Sequence, residues 1–443
     1  MTKPAAGALP DFRKIQDMLK ASGLKEKILF TFMMIAVFRL GVHVPVWGVH
    51  AERSQNLLGN QMLGFLDMFS GGALTSVSVL ALGISPYITA SIIMQLLTVV
   101  IPRLEEMQKE EGEAGRRKIS QYTRYASVIL AMFQGGLVVR LLAGAGAIDP
   151  GVPLVWFYVQ AILTLTAGAI FALWVAEMIT ERGIGNGGSL LIFAGILSRI
   201  PFYASRTGEL VNGDPQKSFN LVILLLGYLV IIGLIIVLQE ATRKIFIISA
   251  KRQVGNKIYG GQNTYIPFKI NPSGVMPIIF AFAVLAFPST IIAMIKSQAH
   301  GGQISPFVLF YEQYLAPGTP AYIILEFLLI VFFTFFYASI IPSMQPREIA
   351  DNLKKYGSAI PGVKPGKPTA EKLEQVLSRT TVIGAVALAV ITLVASSLTS
   401  LTGITTLAGL GATSLIIMVG VALDTMNQIR VHLLARQYEG FLK

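Results

Sequence analysis

Residues 68–97 read MFSGGALTSVSVLALGISPYITASIIMQLL. The stretch is apolar enough to enter a bilayer, yet Gly71-Gly72, Gly83, Pro86 and a series of serines interrupt it. Glycine and proline weaken a helix, and serine competes for its backbone hydrogen bonds, so a simple spanning helix would carry few of them. Irregular backbone persists at membrane depth only where protein shelters it. The stretch therefore predicts two elements. NQMLGFLDMFSGGAL, 60–74, is too short to cross, bears Asp67 and is stopped by Gly71-Gly72; it suits a half-inserted helix. VSVLALGISPYITASIIMQLLTVVI, 77–101, is long enough to cross, with Gly83 and Pro86 permitting close packing and a bend, and Ser85, Thr89 and Ser91 satisfying freed backbone groups. Ile84, Ile88 and Ile92 recur every four residues, a stripe that suits either a lipid-facing surface or a hydrophobic constriction.

The rest of the chain agrees with a membrane setting. Of 443 residues, 53% are hydrophobic and 14% charged, and the mean hydropathy is +0.64. A helix needs about 20 apolar residues to cross the hydrocarbon core. Ten such runs lie near 28–46, 77–101, 122–142, 154–178, 189–204, 219–239, 275–295, 321–341, 380–400 and 404–428. A long basic segment precedes the first run and no small-residue cleavage site follows it, which argues against a removable signal peptide.

Basic loops stay on the cytoplasmic side. With both termini inside, the cytoplasmic segments 1–27, 102–124, 179–188, 240–274, 342–379 and 429–443 hold 29 of the 36 Lys and Arg. The outer segments hold 6, namely Arg53, Arg140, Arg199, Arg206, Lys217 and Lys296, and Arg39 lies within the first run. The net charge of +12 is thus mainly a topology signal. It leaves a basic inner face suited to anionic lipid or acidic protein surfaces.

Two cytoplasmic loops exceed 30 residues. IFIISAKRQVGNKIYGGQNTYIPFKI alternates around Gly260-Gly261 as a β-hairpin would. PREIADNLKKYGSAIPGVKPGKPTAEKLEQVLSR reads as helix, Pro/Gly-rich tip and helix. Both suit either solvated basic loops or a docking platform. In DFRKIQDMLKAS, Phe12, Ile15, Met18 and Leu19 share one face, which suits a helix lying in the membrane interface.

Several chemistries are disfavoured. The chain has no cysteine, and His43, His50, His300 and His432 stand singly without metal-ligand spacing. Gly183, Gly185 and Gly188 satisfy G-x-G-x-x-G, but they follow an apolar helical run instead of a strand and read as a tight turn. KPGKPT has Pro361 where a phosphate loop needs its first glycine, and Pro368 where it needs Ser or Thr. Ionisable groups inside spans are few: Arg39, Glu326 and Asp424, with Glu177 near a boundary. Each is read as paired or bundle-facing. A secondary transporter of a small solute, coupled through Glu326 or Asp424, is the rival reading, although a proton-coupled one would carry more such groups.

The chain resembles the SecY family, the central subunits of bacterial protein-conducting channels. The resemblance runs through MFSGGAL, ALGISPYITASIIMQLL, EGEAGRRKISQYTRYA, WVAEMITERGIGNGGSLLIFAGI, AKRQ and PREIADNLKKYG to TSLIIMVGVALDT, over nearly the whole chain. It implies an all-α integral membrane protein, with ten transmembrane helices in two pseudo-symmetric five-helix halves around an hourglass pore. Residues 1–27 would be a cytoplasmic N-terminus, 28–204 the first half, 205–218 an external hinge loop, 219–428 the second half and 429–443 a cytoplasmic tail. A half-helix plug at about 62–74 would include Leu63, Phe65, Asp67, Phe69, Gly71 and Gly72. An apolar pore ring would fall on Ile84, Ile88, Gly188, Ile192, Ile279 and Ile417, with Gly188 standing where the family has a bulky residue. Thr89 and Gln134 would belong to a lateral gate between helices 2 and 3 and helices 7 and 8. Lys251, Arg252, Lys257, Lys354, Lys355, Lys364 and Lys367 would dock a motor or a ribosome. Lys364 replaces a usual arginine there, and Asn256-Lys257 replaces a basic pair. The implied partners are SecE, SecG, SecA, the translating ribosome, signal sequences, nascent polypeptides and anionic lipids, in the bacterial cytoplasmic membrane. No cofactor and no catalytic residue is implied, since partners would hydrolyse the nucleotide.

Overall fold

The structure is a computed structural model that describes residues 23–49, 67, 70–109, 111–144, 146–149, 151–211, 214–249, 252–254, 257–259, 263–298, 305–316, 318–340, 345–404, 406–407 and 411–440. The interfacial helix read at 11–22 lies outside these residues, as do Leu63, Phe65, Phe69 and Lys251.

The described helices are α1 (Leu24–Val42), α2 (Ser85–Val100), α3 (Pro102–Lys109), α4 (Gly112–Gly144), α5 (Leu154–Arg182), α6 (Gly187–Val211), α7 (Pro215–Glu240), α8 (Met276–Gln298), α9 (Pro306–Tyr314), α10 (Pro320–Ile340), α11 (Pro346–Lys355), α12 (Lys367–Thr402) and α13 (Ala412–Gly440). Seven of them, α4 to α7, α10, α12 and α13, are long and apolar enough to cross a membrane, and α2 with α3 forms an eighth candidate bent by 104°. The remaining predicted runs are present as α1 and α8, each carrying a helix where the apolar pattern placed one. Large apolar side chains cover the outside of these helices: Phe219, Leu226, Leu229, Val230 and Val237 of α7 are each more than half exposed. Such a surface is stable against lipid and not against water.

Helices run past the apolar segments that marked them. The fifth, read as short, has 25 residues. The loop expected at 205–218 is helical through Val211 and again from Pro215. α4 begins ten residues before its predicted run, inside the loop expected at 102–124. The reason is that loss of apolarity marks the membrane boundary, whereas a helix ends only where its backbone bonds end. α9 lies in an outer segment for which no element was expected.

The opening stretch departs further. Residues 70–84 form successive turns, and helix begins at Ser85, eight residues after the predicted start. Pro86 stands in the first helical turn, where its missing N–H costs nothing, so it starts the helix instead of bending it. The turn segment lies inside protein. Ala73, Val77, Ser78, Leu80 and Ala81 are at most 3% exposed. The Val46 N–H donates to the Val77 carbonyl at 2.9 Å and the Val79 N–H to the Val44 carbonyl at 2.9 Å, so the chain after α1 satisfies part of its backbone. Gly168 of α5 packs directly on the Val79 carbonyl, where a Cβ would overlap the oxygen.

The chain divides into two compact units, 1–199 with 421–443, and 200–420; the boundaries fall within α6 and α13. In the first, α4 and α5 are tied by Arg124 Nε donating to Glu177 Oε1 at 2.7 Å. In the second, Gly227 of α7 packs under the Leu398 side chain of α12, Asn220 Nδ2 donates to the Thr402 carbonyl at 3.1 Å, and Phe280 of α8 meets Phe333 of α10 edge-on at 5.7 Å.

The second unit also carries the only described sheets. β1 (Thr242–Ser249) pairs antiparallel with β4 (Asn263–Lys269), in a register that sets Phe246 opposite Tyr265. β2 (Arg252–Val254) pairs with β3 (Lys257–Tyr259), so the hairpin reverses between Val254 and Lys257 instead of at Gly260-Gly261. Gly255-Asn256 offers a two-residue turn with glycine first, a hairpin signal in its own right. β5 (Ser358–Ala359) from the other long loop adds to β1.

Candidate functional site

The residues read as plug and ring come from several elements, and one helix carries ring members together with the residues that contact the plug segment. α6 orders them along one face. Gly188, Ile192, Gly195 and Arg199 are spaced by four, three and four residues, so they stack over about three turns, roughly 16 Å. Ile192 is 2% exposed. A Cβ at Gly188 would stand 3.3 Å from Ile84 Cδ1, so the Ile84 side chain occupies the space that a bulkier residue at 188 would fill. Ile84, the residue just before α2, is 3% exposed, and Ile88 one turn later is half-buried. In the second unit, Ile279 of α8 and Ile417 of α13 are 4% and 0% exposed.

One turn beyond Ile192, α6 seats the segment that the sequence marked as a plug. Gly71 lies so close that a Cβ there would stand 2.8 Å from Gly195 Cα and 2.6 Å from Arg39 Nη1. Its φ of +67° and that of +94° at Gly72 belong to the left-handed region, which glycine enters without a Cβ penalty. Arg39 Nη1 donates to the Gly71 carbonyl at 2.9 Å. Arg199 Nη2 forms an ion pair with Asp67 Oδ2 and donates to Thr75 Oγ1 at 2.6 Å. Asp67 Oδ1 accepts the Thr75 N–H at 2.7 Å, and Ser70 Oγ accepts the Leu74 N–H at 3.1 Å. Arg39 therefore has the paired, inward role read for it. Arg199, counted with the outer loops, is a helical residue with a side chain only 15% exposed. A cation inside the fifth apolar run was the signal for it.

The glycine-rich link Gly183–Gly188 is a packing joint. Gly187 abuts the Ala176 carbonyl, where a Cβ would overlap the oxygen. The Ile184 N–H donates to Thr31 Oγ1 at 3.1 Å, the Gly185 N–H to Gln428 Oε1 at 2.9 Å and the Gly187 N–H to Thr180 Oγ1 at 2.9 Å. Side chains from α1, α5 and α13 thus hold the turn and use the donors that a bound phosphate would need. Beside it, Asp424, Asn427 and Gln428 with Asn186 line an open cavity of about 450 Å³. Glu326 is 3% exposed within α10. Thr89 of α2 spends its hydroxyl on the Ser85 carbonyl at 3.1 Å, and Gln134 of α4 is half-buried.

The two long loops share a core of their own. Phe268 of β4, Ala350 of α11, Ile360 and Ala370 and Leu373 of α12 are buried together. Lys354, Lys355, Lys364 and Lys367 are exposed around this core, and Lys244 Nζ lies 4.8 Å from the Tyr265 ring centroid. Arg252 and Lys257 stand on β2 and β3. The hairpin and the helix–tip–helix, predicted as separate projections, are one folded platform.

Long apolar helices, an irregular segment seated on one of them and a folded platform outside them define a multi-span helical membrane protein. Its fold is that of a solved structure described as "The structure of a protein conducting channel" (TM-score 0.65, 17% identity, 92% of each chain covered). Sec61 in the canine ribosome–channel complex from the endoplasmic reticulum shares it (TM-score 0.61, 16% identity, 92% of each chain). The SecY family model matches residues 78–426. The chain is 46% identical over 429 residues to the protein translocase subunit SecY of Synechocystis sp., covering 96% of both, and 45% identical over 443 residues to that of Streptomyces coelicolor, covering 96% of this chain and 98% of the relative. The chain belongs to the SecY family. It is accordingly a channel subunit of a protein translocase and not an enzyme; nothing in the comparisons supports a solute transporter.

Proposed function

We propose that this chain forms the pore through which unfolded secretory polypeptides cross, and from which membrane-protein helices leave sideways, in the bacterial cytoplasmic membrane with both termini inside. The observation that carries this reading is the order along α6, ring positions Gly188 and Ile192 followed by the plug seat Gly195 and Arg199. Ile84, Ile88, Gly188, Ile192, Ile279 and Ile417 act as the waist. A narrow apolar ring resists wetting, so ions meet a desolvation barrier, while an extended chain fills the ring without specific bonds. That accounts for tolerance of many substrate sequences. The segment 62–74 closes the outer side.

Opening is an equilibrium shift of a few kcal/mol, which a signal sequence supplies by binding the open lateral gate, with Thr89 and Gln134 among its members, better than the closed one. Directional work comes from SecA or a translating ribosome on the platform, through Lys251, Arg252, Lys257, Lys354, Lys355, Lys364 and Lys367. SecE and SecG complete the membrane complex, and anionic lipids meet the basic inner face. The test is reconstitution of the purified complex in proteoliposomes with SecA, ATP and a secretory precursor. Protease-protected precursor is the expected result, and its absence from an otherwise assembled complex would overturn the reading.

A further inference from the structure

The plug seat is held by charge, which simple sealing does not require. The Asp67 and Arg199 side chains are 3% and 15% exposed. A buried ion pair is no stronger than well-packed apolar groups of similar size, because desolvation offsets its attraction. What distinguishes it is its response to water. The attraction falls in proportion to the local dielectric, and both ions regain hydration when water enters. Apolar contact grows more costly to break as water arrives, whereas this pair grows easier.

The bonds at the seat fall into two sets. Within the segment, Asp67 Oδ1 holds the Thr75 N–H at 2.7 Å and the Asp67 carbonyl accepts the Gly72 N–H at 2.9 Å, so Asp67, Gly72 and Thr75 are tied into one loop by bonds of the segment's own. Between the segment and its neighbours stand Arg199 of α6 on Asp67 and Thr75, and Arg39 of α1 on the Gly71 carbonyl. Release therefore requires breaking the arginine contacts while the loop retains its shape. Arg199 follows Ile192 by two turns, about 10 Å along α6, so a chain that wets the ring also wets the pair.

We infer that Asp67 and Arg199, backed by Arg39, form a polar catch for the closed state, and that its strength sets how effective a signal sequence must be to open the channel. The inference rests on the plug reading above. These are positioning residues, which act on the passage of substrate through the segment they hold.

Asp67→Asn keeps an Oδ1 acceptor for Thr75 and removes the charge that Arg199 holds; Arg199→Gln removes the other partner. Each complex is compared with wild type for resting ion conductance in planar bilayers, and for the ratio of translocation of a precursor with an intact signal sequence to one with a weakened signal sequence. Both variants should raise resting conductance about tenfold, the factor corresponding to about 1.4 kcal/mol of lost closed-state preference, and bring the ratio towards one. Arg199→Lys should lie between. The double variant should be no leakier than the worse single one, since the two changes remove one interaction. Wild-type conductance and ratio in both single variants of a translocating complex would overturn the catch. So would a loss of assembled complex that lowers both precursors equally, because that marks a purely structural role. If the wild-type complex itself translocates nothing, the channel reading fails first, and the catch with it.

Discussion

Gly187 and Gly188 stand side by side at the start of α6 with opposite tolerance for a side chain. A Cβ at 187 overlaps the Ala176 carbonyl oxygen, which is backbone and does not move aside, whereas a Cβ at 188 meets the flexible end of Ile84 at 3.3 Å. Gly187→Ala should therefore destabilise the complex by about 1–3 kcal/mol or more through overpacking. Gly188→Ala should change it by less than about 1 kcal/mol, the helix-propensity gain over glycine offsetting the tighter contact. Thermal unfolding of the detergent-solubilised complex distinguishes the two, and equal losses would show that both positions are packed alike. Of the seat, Asp67, Gly71 and Gly72 were legible as polar and glycine interruptions in an apolar stretch. That Arg39, Thr75 and Arg199 are their partners was not, because nothing local in the sequence pairs residue 67 with residue 199.

Within α2, Ile88 and Ile92 share a face by spacing but differ in surroundings: Ile92 is 3% exposed and Ile88 half-buried. Ile88→Gly should wet the waist and raise resting conductance, while Ile92→Gly should chiefly lower stability, by about 2–5 kcal/mol from a cavity in packed protein. Planar-bilayer conductance beside thermal unfolding separates them. Equal resting conductance for wild type and Ile88→Gly would return the stripe to lipid. The platform allows a similar contrast. Leu373 is 1% exposed in its core, so Leu373→Ala should cost about 2–5 kcal/mol locally and admit protease to both long loops. Lys364→Glu, on the exposed tip, should leave the fold intact and weaken SecA-stimulated transport or ribosome binding. Unchanged transport and binding in that variant would remove the tip from the docking surface. The hairpin and the helix–tip–helix were each visible in their patterns, but their shared core was not. β5 joins β1 across more than 100 residues of chain, and a two-residue strand has no periodicity to detect.

At the scale of the whole molecule, the 29 to 6 division of basic residues predicts that both termini lie inside. Single cysteines introduced at Gly59, His300 and Gly366 in this cysteine-free chain provide the check. An impermeant reagent added outside intact cells should label the first two and spare the third, and outside labelling of Gly366→Cys would overturn the topology. The charge division gives the sidedness that the labelling tests. Hydropathy is a sum over neighbouring residues, so the sequence by itself determined the approximate places of the long helices and, through its long ordered motifs, the family. It overestimated α2 and underestimated α6, since apolarity reports the solvent and helix ends report backbone bonding. Only the tertiary structure decided that residues 70–84 stay in turns, because their unused backbone groups depend on Val44, Val46 and the bare surface of Gly168. It alone set Ile84 over Gly188 and Arg199 on Asp67, since pairings between distant segments depend on which faces the packed helices present.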